Sequence, residues 1–169
     1  GFQPDSKLQM LTQLRDSLEI LIVLSAEDIE RNNVRQDLGI TYDEDVLRLR
    51  EEFMQRGFLV SSVVITHYSG QRSADAYRQR LERKGIHVYY HYVIDGYPHN
   101  VELIASDEGF GRNDYIETTR PLVVVRAPGP GSGKMATRLS QIYHDNKHGI
   151  RAGYAKFETF PIWNLPLKH

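Results

Sequence analysis

The chain has 169 residues, of which 40% are hydrophobic and 25% are charged, with a formal net charge of −1 and no cysteine. This length and composition are enough for one sizeable domain around a buried core. The charge balance shows no basic excess for nucleic acid or an anionic membrane, and the lack of cysteine excludes disulfides and thiolate metal sites. No apolar run approaches the length of a membrane span, so we expect a soluble, cytoplasmic protein without nucleic-acid or membrane partners.

Helix and strand patterns alternate along the first half of the chain. They predict a helix from Asp5 or Ser6 and then a strand over 20–24 that is buried on both faces. A short polar helix is expected after Ser25, continuing to Arg35. A helix from Thr41 or Asp43 up to Gly57 and a strand over 58–66 follow. The residues that follow, 67–71, are expected to form a turn.

The second half continues the alternation. It predicts a helix over 73–84, a strand over 87–94, a shorter strand over 101–105, a strand over 122–125, and a helix from Met135 to about Asn146 whose apolar spacing marks Met135, Leu139, Ile142 and Tyr143 as one face. The whole pattern predicts a single three-layer α/β domain over 1–169, with a mostly parallel sheet and helices on both faces, Rossmann-like or P-loop-like. Ligands in such sheets bind beyond the carboxyl ends of the strands.

A glycine loop, Gly129-Pro-Gly-Ser-Gly-Lys134, joins the predicted strand over 122–125 to the last helix. Its six residues match the phosphate loop of adenylate-kinase-like P-loop proteins. In such a loop the backbone N–H groups and the helix N-terminus face an anion, and a lysine adds a full positive charge. The predicted phosphate-binding residues are Gly129, Gly131, Ser132, Gly133 and Lys134. ATP or another nucleotide is the candidate cofactor.

Two flanking residues depart from the P-loop pattern. Pro128 replaces its first glycine, and Met135 replaces the Ser or Thr that would reach Mg²⁺. Ser132 or Thr137 is the candidate substitute for that hydroxyl. The loop therefore predicts phosphate or nucleotide binding more firmly than Mg²⁺-dependent phosphoryl transfer.

Asp107 and Glu108 follow the predicted strand over 101–105. The arrangement resembles the strand of P-loop ATPases that ends in Asp-Glu, where the Asp supports Mg²⁺ and the Glu polarises water. If the two strands are neighbours, Asp107 should lie near Lys134. The alternative is a solvated acidic turn.

Three further positions could serve a ligand. Ser69 and Gly70 could present N–H groups to a second anion, and His67 beside them could be an acid or base. Arg112 lies on a loop with two glycines and could bind phosphate through its planar guanidinium. A structural turn and a solvated loop are the alternatives. The pairs His87/His91 and His144/His148 lack a third ligand, so no metal site is predicted.

Four segments, residues 39–43, 106–119, 127–137 and 152–169, resemble the bacterial family known as domain of unknown function 1846, over essentially the whole chain. The resemblance implies no assigned reaction. It implies that Met135 is characteristic of the family, which argues against ordinary kinase chemistry. It also implies a longer protein whose missing part completes the site and covers the aromatic tail over 154–169.

Three functions remain open. The chain could be an enzyme acting on a phosphorylated small molecule or nucleotide, such as a hydrolase or transferase with Lys134, Asp107, Glu108 and His67 as catalytic residues. It could sense a nucleotide without turnover. It could instead be an assembly domain, and we expect either a homo-oligomer or packing against the remainder of a longer chain.

Overall fold

The computed structural model describes residues 4–155, with side chains from residue 9 onward. The expected docking tail over 154–169 lies outside the described residues except for its first two positions. The elements are α1 (Pro4–Gln13), β1 (Leu18–Ser25), α2 (Ala26–Glu30), β2 (Val34–Arg35), β3 (Ile40–Thr41), α3 (Tyr42–Gln55), β4 (Leu59–Tyr68), α4 (Arg72–Arg83), β5 (His87–Tyr92), α5 (Val101–Ile104), β6 (Leu122–Arg126) and α6 (Lys134–Lys147), with 3₁₀ turns at Arg15–Ser17 and Phe110–Arg112.

Four parallel strands form the sheet in the order β5-β4-β1-β6. The chain starts at β1, extends the sheet through β4 to β5, and then crosses back to place β6 on the other side of β1. This is the order 3-2-1-4 of a doubly wound sheet, in which the direction of growth reverses between the first and fourth strands. The predicted parallel, three-layer α/β fold is confirmed.

The first face of the sheet carries helices α3 and α4. Their inward residues pack on alternate residues of β1, β4 and β5; the helical contributors are Val46, Leu49, Phe53, Ala74, Tyr77 and Leu81. Both helices end close to glycines in the left-handed region, Gly57 with φ +82° and Gly85 with φ +79°. The spacing of apolar residues predicted this face well, because each helix has one apolar stripe and one polar side.

The second face is covered by α6 and by the segment around Ile116. Its buried apolar cluster consists of Leu21, Val23, Val64, Ile116 and Val125. Strand β6 was expected to be a buried strand. Only Val125 is buried there, and Leu122 remains 43% exposed, because β6 pairs with β1 on one side and has no other strand beside it in the described part of the chain.

The predicted strand over 101–105 is wrong. These residues form the short helix α5, whose first turn is capped by the Asn100 side chain accepting a hydrogen bond from the Leu103 N–H at 3.2 Å. A short, mostly apolar segment fits either structure, and the capping residue before it favours a helix.

The apolar face of α6 that the sequence marks is not its buried side. The buried residues are Thr137, Ser140 and His144, which are spaced by three and four positions and lie on the side opposite Met135, Leu139 and Ile142. The apolar stripe is only half-buried in the described structure. Polar residues therefore make the main contact of α6 with the rest of the fold.

A hairpin replaces the second half of the polar helix expected up to Arg35. Helix α2 ends at Glu30, and β2 pairs antiparallel with β3. Arg35 donates to the fully buried Asp45 carboxylate at 2.9 Å, which ties the hairpin to α3. Within residues 4–155, none of the helices is both long and apolar enough to cross a bilayer.

Candidate functional site

The glycine loop lies at the carboxyl edge of the sheet, immediately after β6. Strand β6 pairs with β1, so the loop sits where the strand order reverses. Doubly wound proteins bind ligands in the crevice at this position. Helix α6 begins at Lys134 with Gly133 as its N-cap residue, at φ +87°. The first N–H groups of a 14-residue helix therefore point toward this edge.

Two neighbouring side chains hold the loop in place. Thr66, at the end of β4, donates its hydroxyl proton to the Ser132 carbonyl at 2.5 Å, and a Cβ added to Gly133 would meet the Thr66 side chain at 3.1 Å. On the other side, a Cβ added to Gly129 would meet the Tyr42 ring at 2.7 Å. The two glycines are therefore required by close packing against Tyr42 and Thr66.

The two hydroxyls near the helix start differ in their hydrogen bonding. Thr137 donates to the Gly133 carbonyl at 2.8 Å, one turn earlier on α6. Ser132 is 2% exposed, and its Oγ has no hydrogen-bond partner among the described residues. A buried hydroxyl without a partner is unfavourable by about 1–3 kcal/mol, and of the two hydroxyls only that of Ser132 lacks a partner among the described residues.

A cavity of about 220 Å³ lies beside the loop. It is bounded by the carboxyl ends of β4 and β5, by Phe110 and Asn113, and by Ala136 and Thr137 in the first turn of α6. His67 also lines it and has a left-handed backbone at φ +52°. Residues other than glycine rarely adopt this conformation, and it is found more often at functional sites than elsewhere.

His91 is the buried histidine of this cavity. It is 4% exposed, and burial lowers the pKa of its imidazole to about 4, so the ring is neutral near pH 7. Its Nε2 lies 3.2 Å from the Asp114 carbonyl oxygen. A carbonyl can only accept, so Nε2 carries the proton and Nδ1 keeps its lone pair.

Asn113 fixes the wall behind His91. Its side-chain oxygen accepts from the Tyr92 N–H at 2.7 Å, and its amide donates to Ser140 on α6 at 3.0 Å. Asp114 accepts from the Tyr90 N–H at 2.8 Å. Asn113 therefore joins the outer edge of β5 to α6, and its bond to Ser140 is one reason why the buried side of α6 is polar.

The structure does not bring Asp107 to Lys134. Asp107 pairs with Lys147 and accepts from the Tyr143 hydroxyl at 2.9 Å, at the last turn of α6. Lys134 and Lys147 are the two ends of that helix, roughly 20 Å apart at about 1.5 Å per residue. The condition for an approach of Asp107 to Lys134 is therefore not met, because the strand that would have carried Asp107 and Glu108 does not form, and the alternative of an exposed acidic turn fits Asp107. The hydrogen bond from Lys147 instead lowers the pKa of the exposed Asp107 carboxyl.

The remaining predicted residues are divided between the cavity and its surroundings. The Ser69 N–H already donates to the Gln71 side chain at 2.8 Å, and Gly70 beside it is exposed. Arg112 is exposed and lies over the Tyr92 ring at 5.1 Å, next to the cavity wall. No three potential His, Asp or Glu metal ligands come together in the described residues.

Sequence reasoning missed Tyr42, Thr66 and His91. Tyr42 opens α3 and Thr66 is near the end of β4, and in a parallel sheet helix starts and strand ends meet at the same edge. That rule could have found both residues. The rule also reaches His91, which lies one residue before the end of β5, but that residue was considered only as a metal ligand paired with His87.

The sheet and its loop define a class: a doubly wound α/β domain with a glycine loop at the reversal of strand order. All 169 residues match the family described as "Domain of unknown function DUF1846, N-terminal", and the chain belongs to that family. Curated relatives include UPF0371 proteins of Corynebacterium aurimucosum (59% identical), Corynebacterium diphtheriae (60%) and Streptococcus pneumoniae (56%). Each alignment covers 100% of this chain and 34% of the relative, so the chain spans about a third of the length of these proteins.

Proposed function

We propose that this domain binds the phosphate group of a nucleotide or another phosphorylated small molecule at the Gly129–Lys134 loop. The observation that carries the proposal is the position of the loop. It joins the carboxyl end of β6 to the N-terminus of α6 at the point where the strand order reverses. Backbone N–H groups at a helix N-terminus and a lysine at its first position together favour an anion there.

The local packing supports the same proposal. Close contacts with Tyr42 and Thr66 fix Gly129 and Gly133, so the backbone of the loop is ordered before a ligand arrives. Preorganisation of this kind reduces the entropic cost of binding. Ser132 adds a buried hydroxyl that lacks a partner among the described residues, and such a group is satisfied by a phosphate oxygen.

Binding without turnover is the second candidate, and the first turn of α6 favours it. The residue after Lys134 is Met135, which has no metal-binding oxygen, and the Thr137 hydroxyl donates to Gly133. Asp107 and Glu108 lie toward the other end of the helix, so neither belongs to the proposed phosphate site. His67 in the adjacent cavity is the remaining candidate for acid–base chemistry.

Calorimetric titration of the purified protein with inorganic phosphate, pyrophosphate and ATP, each with and without Mg²⁺, tests the proposal. We expect Lys134→Ala to weaken binding at least about tenfold, the equivalent of roughly 1.4 kcal/mol. Lys147→Ala is the matched control, because it removes the same charge from the far end of α6. Equal affinities in wild type and Lys134→Ala would exclude this site.

The same titrations distinguish sensing from catalysis. Mg²⁺-independent binding of ATP with no phosphate release over a long incubation would identify a binding module. Phosphate release that is lost in His67→Asn, with ATP still bound, would identify an enzyme. Asparagine is chosen because it tolerates the left-handed backbone of position 67.

A further inference from the structure

We propose that the cavity beside the glycine loop holds the organic part of the phosphorylated ligand, and that this part is a sugar ring bearing hydroxyl groups. The proposal rests on the proposed phosphate site and extends it to a ligand class. The sugar can come from a free sugar phosphate or from the ribose of a nucleotide. Both present the same chemistry: a hydroxylated ring joined to a phosphate.

The cavity and the loop share residues, so one ligand can reach both. Thr66 and Thr137 line the cavity, and their hydroxyls hold the loop carbonyls of Ser132 and Gly133. Ala136, also in the cavity wall, lies two residues after Lys134. A phosphate bound over the first turn of α6 would therefore lie beside this wall, and the group attached through its ester oxygen would lie along the wall.

Three polar side chains of the cavity wall, Thr66, Thr137 and His91, can only accept a hydrogen bond from a ligand. The Thr66 and Thr137 hydroxyls have already donated their only protons to loop carbonyls, and each oxygen can still accept. His91 donates from Nε2 to the Asp114 carbonyl, which leaves the lone pair of Nδ1. A group bound against these three side chains must therefore bring its own protons, as a hydroxyl does.

The Asn113 side chain offers little to a ligand, because its oxygen and its amide are engaged with Tyr92 and Ser140. His67 differs from the other polar residues of the wall. An imidazole ring can donate from one nitrogen and accept at the other, so His67 can offer either group to a ligand.

The rest of the wall is apolar or aromatic, with Tyr92, Val93, Ile94 and Phe110 among its residues. Such walls suit the C–H faces of a ring whose edges carry hydroxyls. None of the described residues that line the cavity is acidic, so a phosphate group entering beside it meets no opposing carboxylate.

The test compares ligands that share a phosphate and differ in the attached group. The probes are inorganic phosphate, glucose 6-phosphate, ribose 5-phosphate, 2-deoxyribose 5-phosphate and AMP, titrated calorimetrically into the protein. We expect at least one sugar phosphate, or AMP, to bind at least about tenfold tighter than inorganic phosphate. If the ribose phosphate is preferred, removal of its 2-hydroxyl should weaken binding by about three- to tenfold, the value of one hydrogen bond.

Ala136→Leu fills the cavity from α6, and Val93→Phe narrows it from a position that is 46% exposed and so tolerates a larger side chain. Each variant should lose the preference for the sugar phosphate and keep the affinity for inorganic phosphate. Ala76→Leu, on the exposed side of α4, is the matched control. Circular dichroism melting curves identify any variant that fails to fold. The ligand affinities of the other variant then decide the test.

The outcomes separate the two proposals. If inorganic phosphate binds in a Lys134-dependent way and no sugar phosphate or AMP binds more tightly, the phosphate site stands and the sugar pocket is wrong. The same conclusion follows if the filled-cavity variants keep the sugar preference. If no phosphate compound binds, both proposals fail. A preference for AMP over ribose 5-phosphate identifies a nucleotide as the source of the sugar, and a preference for ribose 5-phosphate or glucose 6-phosphate identifies a free sugar phosphate.

Discussion

On one face of the sheet, helices α3 and α4 bury a continuous apolar core against β1, β4 and β5, whereas the opposite face meets α6 mainly through polar residues. The first core contains large apolar side chains with almost no exposure, such as Ile22, Ile65 and Leu81. The second face has a small apolar cluster, and beyond it lie Ser140, His144 and the glycine loop.

This difference indicates that one face stabilises the fold and the other recognises ligands. The first face supplies most of the burial that stabilises the fold, since the free energy gained scales with the apolar area removed from water. The second face has hydrogen bonds, cavity walls and a helix N-terminus, which are the groups that recognise polar ligands. We therefore expect substitutions on the first face to change stability most, and substitutions on the second face to change binding or pH dependence.

The largest expected effect is on the first face. Leu81→Ala should lower the free energy of unfolding by about 3 kcal/mol, because Leu81 is fully buried between α4 and the sheet and its loss leaves a cavity. Leu139→Ala, which truncates a half-buried residue on the outer stripe of α6, should cost less than about 1 kcal/mol. Urea denaturation of both variants checks this. Equal losses would mean that the outer stripe of α6 is packed as tightly as the core.

The next effect concerns a buried carboxylate on the second face, that of Glu19. The fully buried Glu19 accepts from the N–H groups of Thr119 and Arg120 at 2.6 and 2.8 Å, just before β6. Glu19→Ala should cost about 2–3 kcal/mol by leaving these donors without their acceptor. Glu19→Gln keeps an acceptor oxygen and should cost less. A stability of Glu19→Ala equal to that of Glu19→Gln in urea denaturation would rule out this role.

His91 should make the protein sensitive to acid before its carboxylates are protonated. Its pKa is about 4 in the folded state and about 6.5 when unfolded, so the unfolded state binds more protons between these values and stability falls as pH falls. Between pH 7 and pH 5 the loss should be about 2 kcal/mol. His91→Gln removes this contribution, and its stability measured by denaturation at the two pH values should fall by correspondingly less. Parallel pH profiles for the two proteins would contradict the assignment.

A smaller effect is expected at the junction of β5 and α6. Ser140→Ala removes the acceptor for the Asn113 amide and should cost about 1 kcal/mol. Ser73→Ala is a suitable comparison, because the buried Ser73 hydroxyl has no partner among the described residues and its removal should be neutral or slightly stabilising. Thermal melting measures both. A Ser140→Ala variant as stable as wild type would mean that the Asn113 amide finds another acceptor.

The two faces also differ in how far the sequence predicts them. Val46, Leu49 and Phe53 stand at helical spacing in the sequence and form part of the core, because α3 buries an apolar stripe against the sheet. On α6 the same spacing marks an apolar stripe that is not the side packed against the fold. There the apolar stripe over Met135, Leu139 and Ile142 is only half-buried, and the side that packs is polar because it satisfies Asn113 and the carbonyl of Phe110.

Prediction of the candidate site was limited by long-range contacts. The glycine loop and its helix were found from local pattern alone, since glycines, lysine and helix start are adjacent in sequence. The cavity joins residues from β4, β5, the 3₁₀ turn and α6, and nothing in the spacing of His67, His91 and Thr137 indicates that they meet. Asp107 was misplaced because its position depended on a strand that forms a helix instead.

The amide chemical shifts of the glycine loop test the proposed phosphate site most directly. In ¹H–¹⁵N spectra recorded during titration with inorganic phosphate to on the order of 10 mM, enough to occupy a millimolar site, we expect the largest shifts at Gly131, Gly133 and Lys134. These shifts should disappear in Lys134→Ala and persist in Lys147→Ala. Unchanged loop amides throughout the titration, or shifts confined to other parts of the protein, would contradict a phosphate site at this loop.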